Sequence, residues 1–230
     1  LKINAPENNQ LFYSNLNKRY EKKLYSLADT ILFTHKDALK NHKIFFDLPD
    51  DKLLIANPIS NFDENLFNNS LNYNYSTRPI QISYFGIFTK GVRTPESFLK
   101  LVADKDEYEF SWYVNKDSEK IVKSCNIDEN KHSFNSQVSR EEAQKLMTNS
   151  AHCLLSIGNK NPNQIPSKVI EYLATGKPII HFTEIIHDPV ISLSSDFENL
   201  IICNENNIFE QLTYLHKEIF PNISEFNIEK

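Results

Sequence analysis

Cysteine is scarce in this chain of 230 residues, and the three present, Cys125, Cys153 and Cys203, are far apart, odd in number and set in or beside apolar runs. They indicate no disulfide or zinc framework and fit buried thiols in a reducing cytosol. No apolar run approaches the roughly 18 residues of a membrane-spanning helix. No charged-then-apolar leader opens the chain either, so the chain as written is expected to be soluble and without a signal peptide. Basic runs long enough to track phosphates are missing, and a net charge of -5 with mixed signs argues against a nucleic-acid partner. Glycine is rare, four in all, and neither a phosphate-loop nor a Gly-x-Ser-x-Gly signature occurs. The seven histidines include no i,i+4 pair with an intervening Glu, so His152, His181 and His187 read as core-edge or loop residues rather than ligands. Asp104-Lys105-Asp106 spells the Asp-x-Asp triplet that can hold a divalent cation against a diphosphate. It follows a helical pattern and precedes Glu107, so it reads as a solvated acidic loop and no metal is expected.

What the chain does have is bulk for a core and a regular alternation. Sixteen Phe and ten Tyr supply filling for one large or two small cores. Strand and helix patterns alternate, which predicts an α/β architecture with parallel sheets and helical crossovers. Residues 11–27 read as a helix, Asp29 to Phe33 as a strand, Lys36 to Phe46 as a helix and Lys52 to Ala56 as a strand stopped by Asn57-Pro58. The Asn-rich stretch that follows has little periodicity and reads as a linker over 58–78. A second sheet begins at Ile80 to Phe85, ends at Gly86 and passes through a loop carrying Lys90 and Arg93 into a helix over Pro95 to Val102. Further strands fall at Phe110 to Val114 and His152 to Ile157. Between them, Ser139 followed by Glu142 forms a capping box. A chain opening on Leu1 rather than Met is expected to be a piece of a longer protein.

The densest information lies in Asn163 to Phe182. Pro166 suits the first helical position, Gly176 the residue just past the end, and Pro178 forbids continuation. At 100° per residue Ser167, Lys168 and Glu171 share one face, while Val169, Ile170 and Leu173 share another that can pack. Free N–H groups at the helix head together with Lys168 suit a diphosphate, and Glu171 suits ribose hydroxyls. The same residues also read as an ordinary helix and strand with Lys168 and Glu171 as a solvated i,i+3 pair.

The run Pro166-Ser167-Lys168-Val169-Ile170-Glu171-Tyr172-Leu173-Ala174-Thr175-Gly176-Lys177-Pro178-Ile179-Ile180 resembles the donor-binding signature of family 4 glycosyltransferases. Ala28-Asp29 through Asn57-Pro58-Ile59 is similar to the close of that family's N-terminal domain, and Ile80 to Arg93 to its first C-terminal strand and loop. The resemblance implies a GT-B fold: a Rossmann-like parallel sheet with helices on both faces over 79–230, plus a fragment of a second Rossmann-like domain over 1–57. It implies retaining transfer from a nucleotide-sugar donor, UDP-sugar first among them, without metal or other cofactor. The acceptor would be a glycan or lipid-linked molecule, the setting bacterial surface polysaccharide synthesis. The site would be cytoplasmic or at the inner face of the membrane, with peripheral membrane association through the N-terminal domain.

The implied roles are Gly86, Lys90, Arg93, Ser167 and Lys168 on the diphosphate, Glu171 on the ribose and Val138 beside the base. Asn163, Gln164, Ile165 and Pro166 would face the sugar. No catalytic group is assigned within the chain. Two positions depart from the family pattern: Phe98 stands where a Lys usually follows Arg93 by five residues, and Asn163 where many members have a Glu eight before Glu171. A GT-B nucleotide-sugar epimerase and a non-catalytic nucleotide-binding module are the alternatives.

Overall fold

Strands that are apolar at nearly every position need cover on both faces, and the chain provides it with helices between most of the strands. The computed structural model describes residues 15–56, 66 and 79–222. At its start, α1 (Asn15–Leu27) leads to β1 (Ile31–Phe33), α2 (Lys36–Phe46) and β2 (Leu53–Ile55), and the two strands pair in parallel. Ile31, Phe33 and Leu53 pack against Phe46 and Ala38 of α2 in a small core of their own. The strand expected from Asp29 begins at Ile31, and Lys52 belongs to a short 3-10 turn rather than to β2. Asn57-Pro58-Ile59 and, apart from Leu66, the expected linker lie outside the described residues.

The larger sheet contains β3 (Ile80–Gly86), β4 (Tyr108–Val114), β5 (His132–Asn135), β6 (Cys153–Ile157), β7 (Ile179–Phe182) and β8 (Leu200–Cys203). All of its pairings are parallel, in the order β5-β4-β3-β6-β7-β8. The chain therefore winds outward from β3 to one edge, returns beside β3 and winds outward to the other. The reversal between β3 and β6 is the topological switch point, where open parallel sheets leave a crevice beyond the strands' carboxyl ends.

Both faces are covered. One carries α3 (Glu96–Val102), α4 (Lys116–Lys123) and α7 (Ile208–Tyr214), whose Phe98, Val122 and Leu212 pack with Ile82, Phe110, Trp112 and Phe182. The other carries α5 (Arg140–Asn149) and α6 (Ser167–Leu173), whose Met147, Val169 and Tyr172 pack with Phe85, Leu154 and Ile179. β6 and β7 are buried at every position, whereas β4 alternates, with Glu109, Ser111 and Tyr113 only half-buried among the described residues. The Tyr113 end of that half-buried strip lines the site.

Candidate functional site

The site grows from how α6 is anchored to β3. Pro166 is the N-cap rather than the first helical residue, Ser167–Leu173 are helical, and Gly176 takes φ +70 in the turn that delivers the chain to β7. A residue with a side chain is strained at such a φ, so glycine is the natural occupant. Tyr172 points inward: its hydroxyl accepts the Phe85 N–H at 3.0 Å and donates to the Phe85 carbonyl at 3.3 Å. One helix residue thus fixes α6 to the strand end beside the switch point. The opposite face carries Lys168 and Glu171, paired at 2.6 Å with side chains 33% and 16% exposed.

Between α6, α5 and the ends of β3 and β4 lies a cleft of about 280 Å³. Phe85 and Tyr113 form part of its lining, their rings stacked at 4.4 Å and 3° apart. Burial, and then the nearby Glu142 carboxylate, push the Tyr113 hydroxyl pKa up. Gly86 ends β3 at φ +152, a backbone conformation that residues with a side chain rarely adopt, and it lines the cleft with backbone alone. The walls include Val138 and Arg140 on one side and Lys168 and Glu171 on the other. Arg140 Nη2 is 4.0 Å from Glu171 Oε1. A ring-accepting surface, a bare glycine, a carboxylate and two cations can together receive a flat base, a diol and phosphates.

Four of the residues singled out from sequence, Gly86, Val138, Lys168 and Glu171, therefore meet in one cleft. Phe85, Tyr113, Gln137 and Arg140 join them unannounced. Arg140 carried one signal, a cation two residues beyond the expected base-flanking Val138.

The remaining expected residues lie elsewhere. Lys90 is exposed on the β3–α3 loop and Ser167 is exposed at the head of α6. That helix is short, so at its head the full charge of Lys168 outweighs the helix dipole. Arg93 does not line the cleft: its loop closes on itself through paired Thr89 and Arg93 backbones, with Gly91 at φ +77. Arg93 Nη2 donates to the Ile87 carbonyl at 3.3 Å, and its buried Nε has no partner among the described residues.

In the loop expected to face the sugar, Asn159 Nδ2 donates to the Gln164 carbonyl at 3.2 Å, Ile165 packs into the core and Pro166 is buried. Asn163 Oδ1 accepts from Asn41 Nδ2 of α2 at 2.5 Å, a contact between the two sheets' helices and loops. The acidic Asp104 to Asp106 loop precedes β4, at the opposite end of the strands from the cleft, where Asp106 pairs with Lys131 at 2.6 Å. That pairing holds the exposed Asp106 carboxyl below its ordinary range.

A second constellation is hidden in the core. His181 Nδ1 is 2.9 Å from Ser156 Oγ and His181 Nε2 is 3.1 Å from Asp188 Oδ2. Serine, imidazole and carboxylate in a row would suit nucleophilic catalysis, but the His181 and Asp188 side chains are 0% and 1% exposed, so no substrate reaches them. His181, expected at a core edge, is instead inside. The trio is a brace: Asp188 also accepts the Val190 N–H at 2.9 Å, and any Cβ on Gly158 would collide with its carboxylate. The β6–α6 loop therefore starts from a point held by Asp188. Lys177 of the Gly-Lys-Pro stretch is likewise buried; its amine donates to the Ala151 carbonyl, and burial drives its pKa down to about 7.

No family model and no curated sequence matches the chain. Solved structures do. HepE of Anabaena, crystallised with UDP, superposes with a TM-score of 0.66 at 13% identity, over 97% of this chain and 63% of that one. A glycosyltransferase of Rickettsia africae matches at 0.62 and 13% identity, over 92% and 60%. WaaG, a glycosyltransferase involved in lipopolysaccharide biosynthesis, matches at 0.56 and 12% identity, over 84% and 60%. The chain spans about three fifths of the length of these structures. What it shares with them is the fold, which is Rossmann-like and of the GT-B type.

Proposed function

We propose that this chain carries the donor-binding half of a retaining family 4 glycosyltransferase, which moves a sugar from a UDP-sugar to a glycan or lipid-linked acceptor. The observation that carries the reading is the cleft at the switch point, where Gly86 faces Lys168 and Glu171 across a space lined by Phe85 and Tyr113. The fold shared with HepE supports it, since that protein has been crystallised with UDP and with UDP-glucose. In this assignment Glu171 accepts hydrogen bonds from the ribose, Val138 flanks the base, and Lys168 with the Gly86 backbone receives the diphosphate. Of the loop assigned to the sugar, the exposed Gln164 is the residue that faces it, while Asn163 is held by Asn41 and Ile165 and Pro166 are packed inward. As the sugar–phosphate bond breaks, negative charge grows on the leaving diphosphate, and a fixed ammonium lowers the barrier by stabilising it. Acceptor-side groups come from the N-terminal domain. Surface polysaccharide synthesis at the inner face of a bacterial membrane is the setting that suits such an enzyme.

Lys168 lines the cleft and Arg93 does not, so their contributions differ. Lys168→Ala is expected to weaken UDP binding about tenfold while leaving uridine unchanged. Arg93→Ala, whose guanidinium must first leave the Ile87 carbonyl, is expected to cost less. Titration calorimetry with both ligands decides it, and equal losses for uridine and UDP would remove the diphosphate role.

The reading as a whole is tested by incubating the full-length protein with a panel of UDP-sugars and following donor consumption and the anomeric configuration of the product. Turnover with retention, unchanged by EDTA, is the expected result. Activity lost in EDTA and restored by manganese would contradict the metal-free site. Release of an epimerised nucleotide sugar would favour the epimerase alternative, and binding without turnover the module.

A further inference from the structure

Glu171 has a cation near each carboxylate oxygen: Lys168 Nζ is 2.6 Å from Oε2, and Arg140 Nη2 is 4.0 Å from Oε1. The two cations come from different walls. Lys168 lies one turn earlier on α6, while Arg140 is the first residue of α5, directly after its cap Ser139, whose hydroxyl accepts the Glu142 N–H. Only 16% of the Glu171 side chain is exposed, so leaving its carboxylate without a nearby cation is costly. If the cleft holds a nucleoside diphosphate, Lys168 is drawn toward the phosphates and its contact with Glu171 lengthens. Arg140, now beyond hydrogen-bond distance, is the group placed to close on Oε1, and its fork of donors suits a carboxylate.

We propose that Arg140 is a positioning residue that takes over Glu171 when Lys168 engages a diphosphate, so that recognition of the phosphates and of the ribose is coupled. The inference rests on the reading of the cleft as a nucleoside-diphosphate site. Its consequence is selectivity: a nucleoside leaves Lys168 on Glu171 and gains nothing from Arg140, whereas the diphosphate gains the replacement. Such coupling between two parts of one ligand is a difference in affinities, measurable as such.

The test uses the full-length protein and titration calorimetry with whichever of UDP, GDP, ADP and CDP binds the wild type tightest, together with its nucleoside. Arg140→Gln is expected to weaken the diphosphate about 3- to 10-fold, more than a fully exposed pair would, and to leave the nucleoside unchanged. Arg140→Lys should recover part of the loss. In a Glu171→Gln background, Arg140→Gln should add nothing. An unchanged diphosphate affinity, an equal loss for the nucleoside, or a full loss persisting without the Glu171 charge would each overturn the inference; the last would mean that Arg140 touches phosphate itself. A wild-type protein that binds none of the four would remove the cleft reading and the inference with it, an outcome distinct from diphosphate binding that ignores Arg140.

Discussion

Asp188→Ala is expected to reduce unfolding free energy by about 3–5 kcal/mol, since each buried polar group left without a partner costs about 1–3 kcal/mol and a cavity adds to it. The loss has three sources. His181 Nε2, 3.1 Å from the carboxylate and fully buried, would be left with a proton and nothing to receive it. The Val190 N–H would lose its acceptor, and space would open beneath Gly158, where the β6–α6 loop begins. Since a whole domain is commonly stable by about 5–15 kcal/mol, the variant should unfold at markedly lower urea concentration. Trp112 is the only tryptophan and is buried, so its fluorescence reports the transition. A loss under about 1 kcal/mol would put the brace on a par with an exposed pair.

The same carboxylate predicts an acid dependence. Burial by itself would raise the Asp188 pKa; the hydrogen bond and charge of His181, with the Val190 N–H and Thr183, outweigh it and hold the pKa below the ordinary 3.8. The unfolded chain therefore takes up this proton at higher pH than the folded one. The contribution is complete above the ordinary carboxylate value and is lost as pH falls through the lowered folded value. Asp188→Asn should accordingly flatten the dependence of stability on pH below about 4.

Why the cleft was half legible in the sequence follows from what each residue depends on. Lys168 and Glu171 could be read because their geometry is local: a proline start, a glycine stop and one helical turn place them together. Gly86 followed from a strand that ends and a loop that begins. Arg140 and Tyr113 could not be read, because they approach Glu171 and Phe85 only after β3, β4 and α5 have packed. The brace of Ser156, His181 and Asp188 depends on β6 pairing with β7 in a register that sets Ser156 beside His181. Among the elements, strongly apolar β3, β6 and β7 were plain. β5, a short His-Ser-Phe-Asn edge strand, and α4, eight residues with apolar side chains only at Ile121 and Val122, were too short to show a repeat. Arg93 shows the converse: sequence order put it at the strand end, but the hairpin around Gly91 turns its guanidinium back onto Ile87.

Glu171→Ala is expected to weaken binding of the nucleoside diphosphate on the order of 10- to 150-fold, the equivalent of about 1.5–3 kcal/mol for a hydrogen bond to a charged group. The carboxylate lines the cleft with only 16% of its side chain exposed, so hydrogen bonds from ribose hydroxyls would form with little competition from water. Part of the loss is specific to the sugar, and a 2′-deoxy nucleotide should therefore lose less than its ribo counterpart when Glu171 is removed. Stability offers the control. Lys168 and Arg140 are 33% and 52% exposed and can return to water once their partner has gone, so the unliganded variant should lose no more than about 1 kcal/mol. Glu171→Gln keeps an acceptor oxygen without the charge and should fall between wild type and alanine. Calorimetry on the three proteins, with urea unfolding alongside, separates a binding defect from a folding one. A diphosphate affinity that does not change while the fold stays intact would take Glu171 out of the site, and the ribose assignment would go with it.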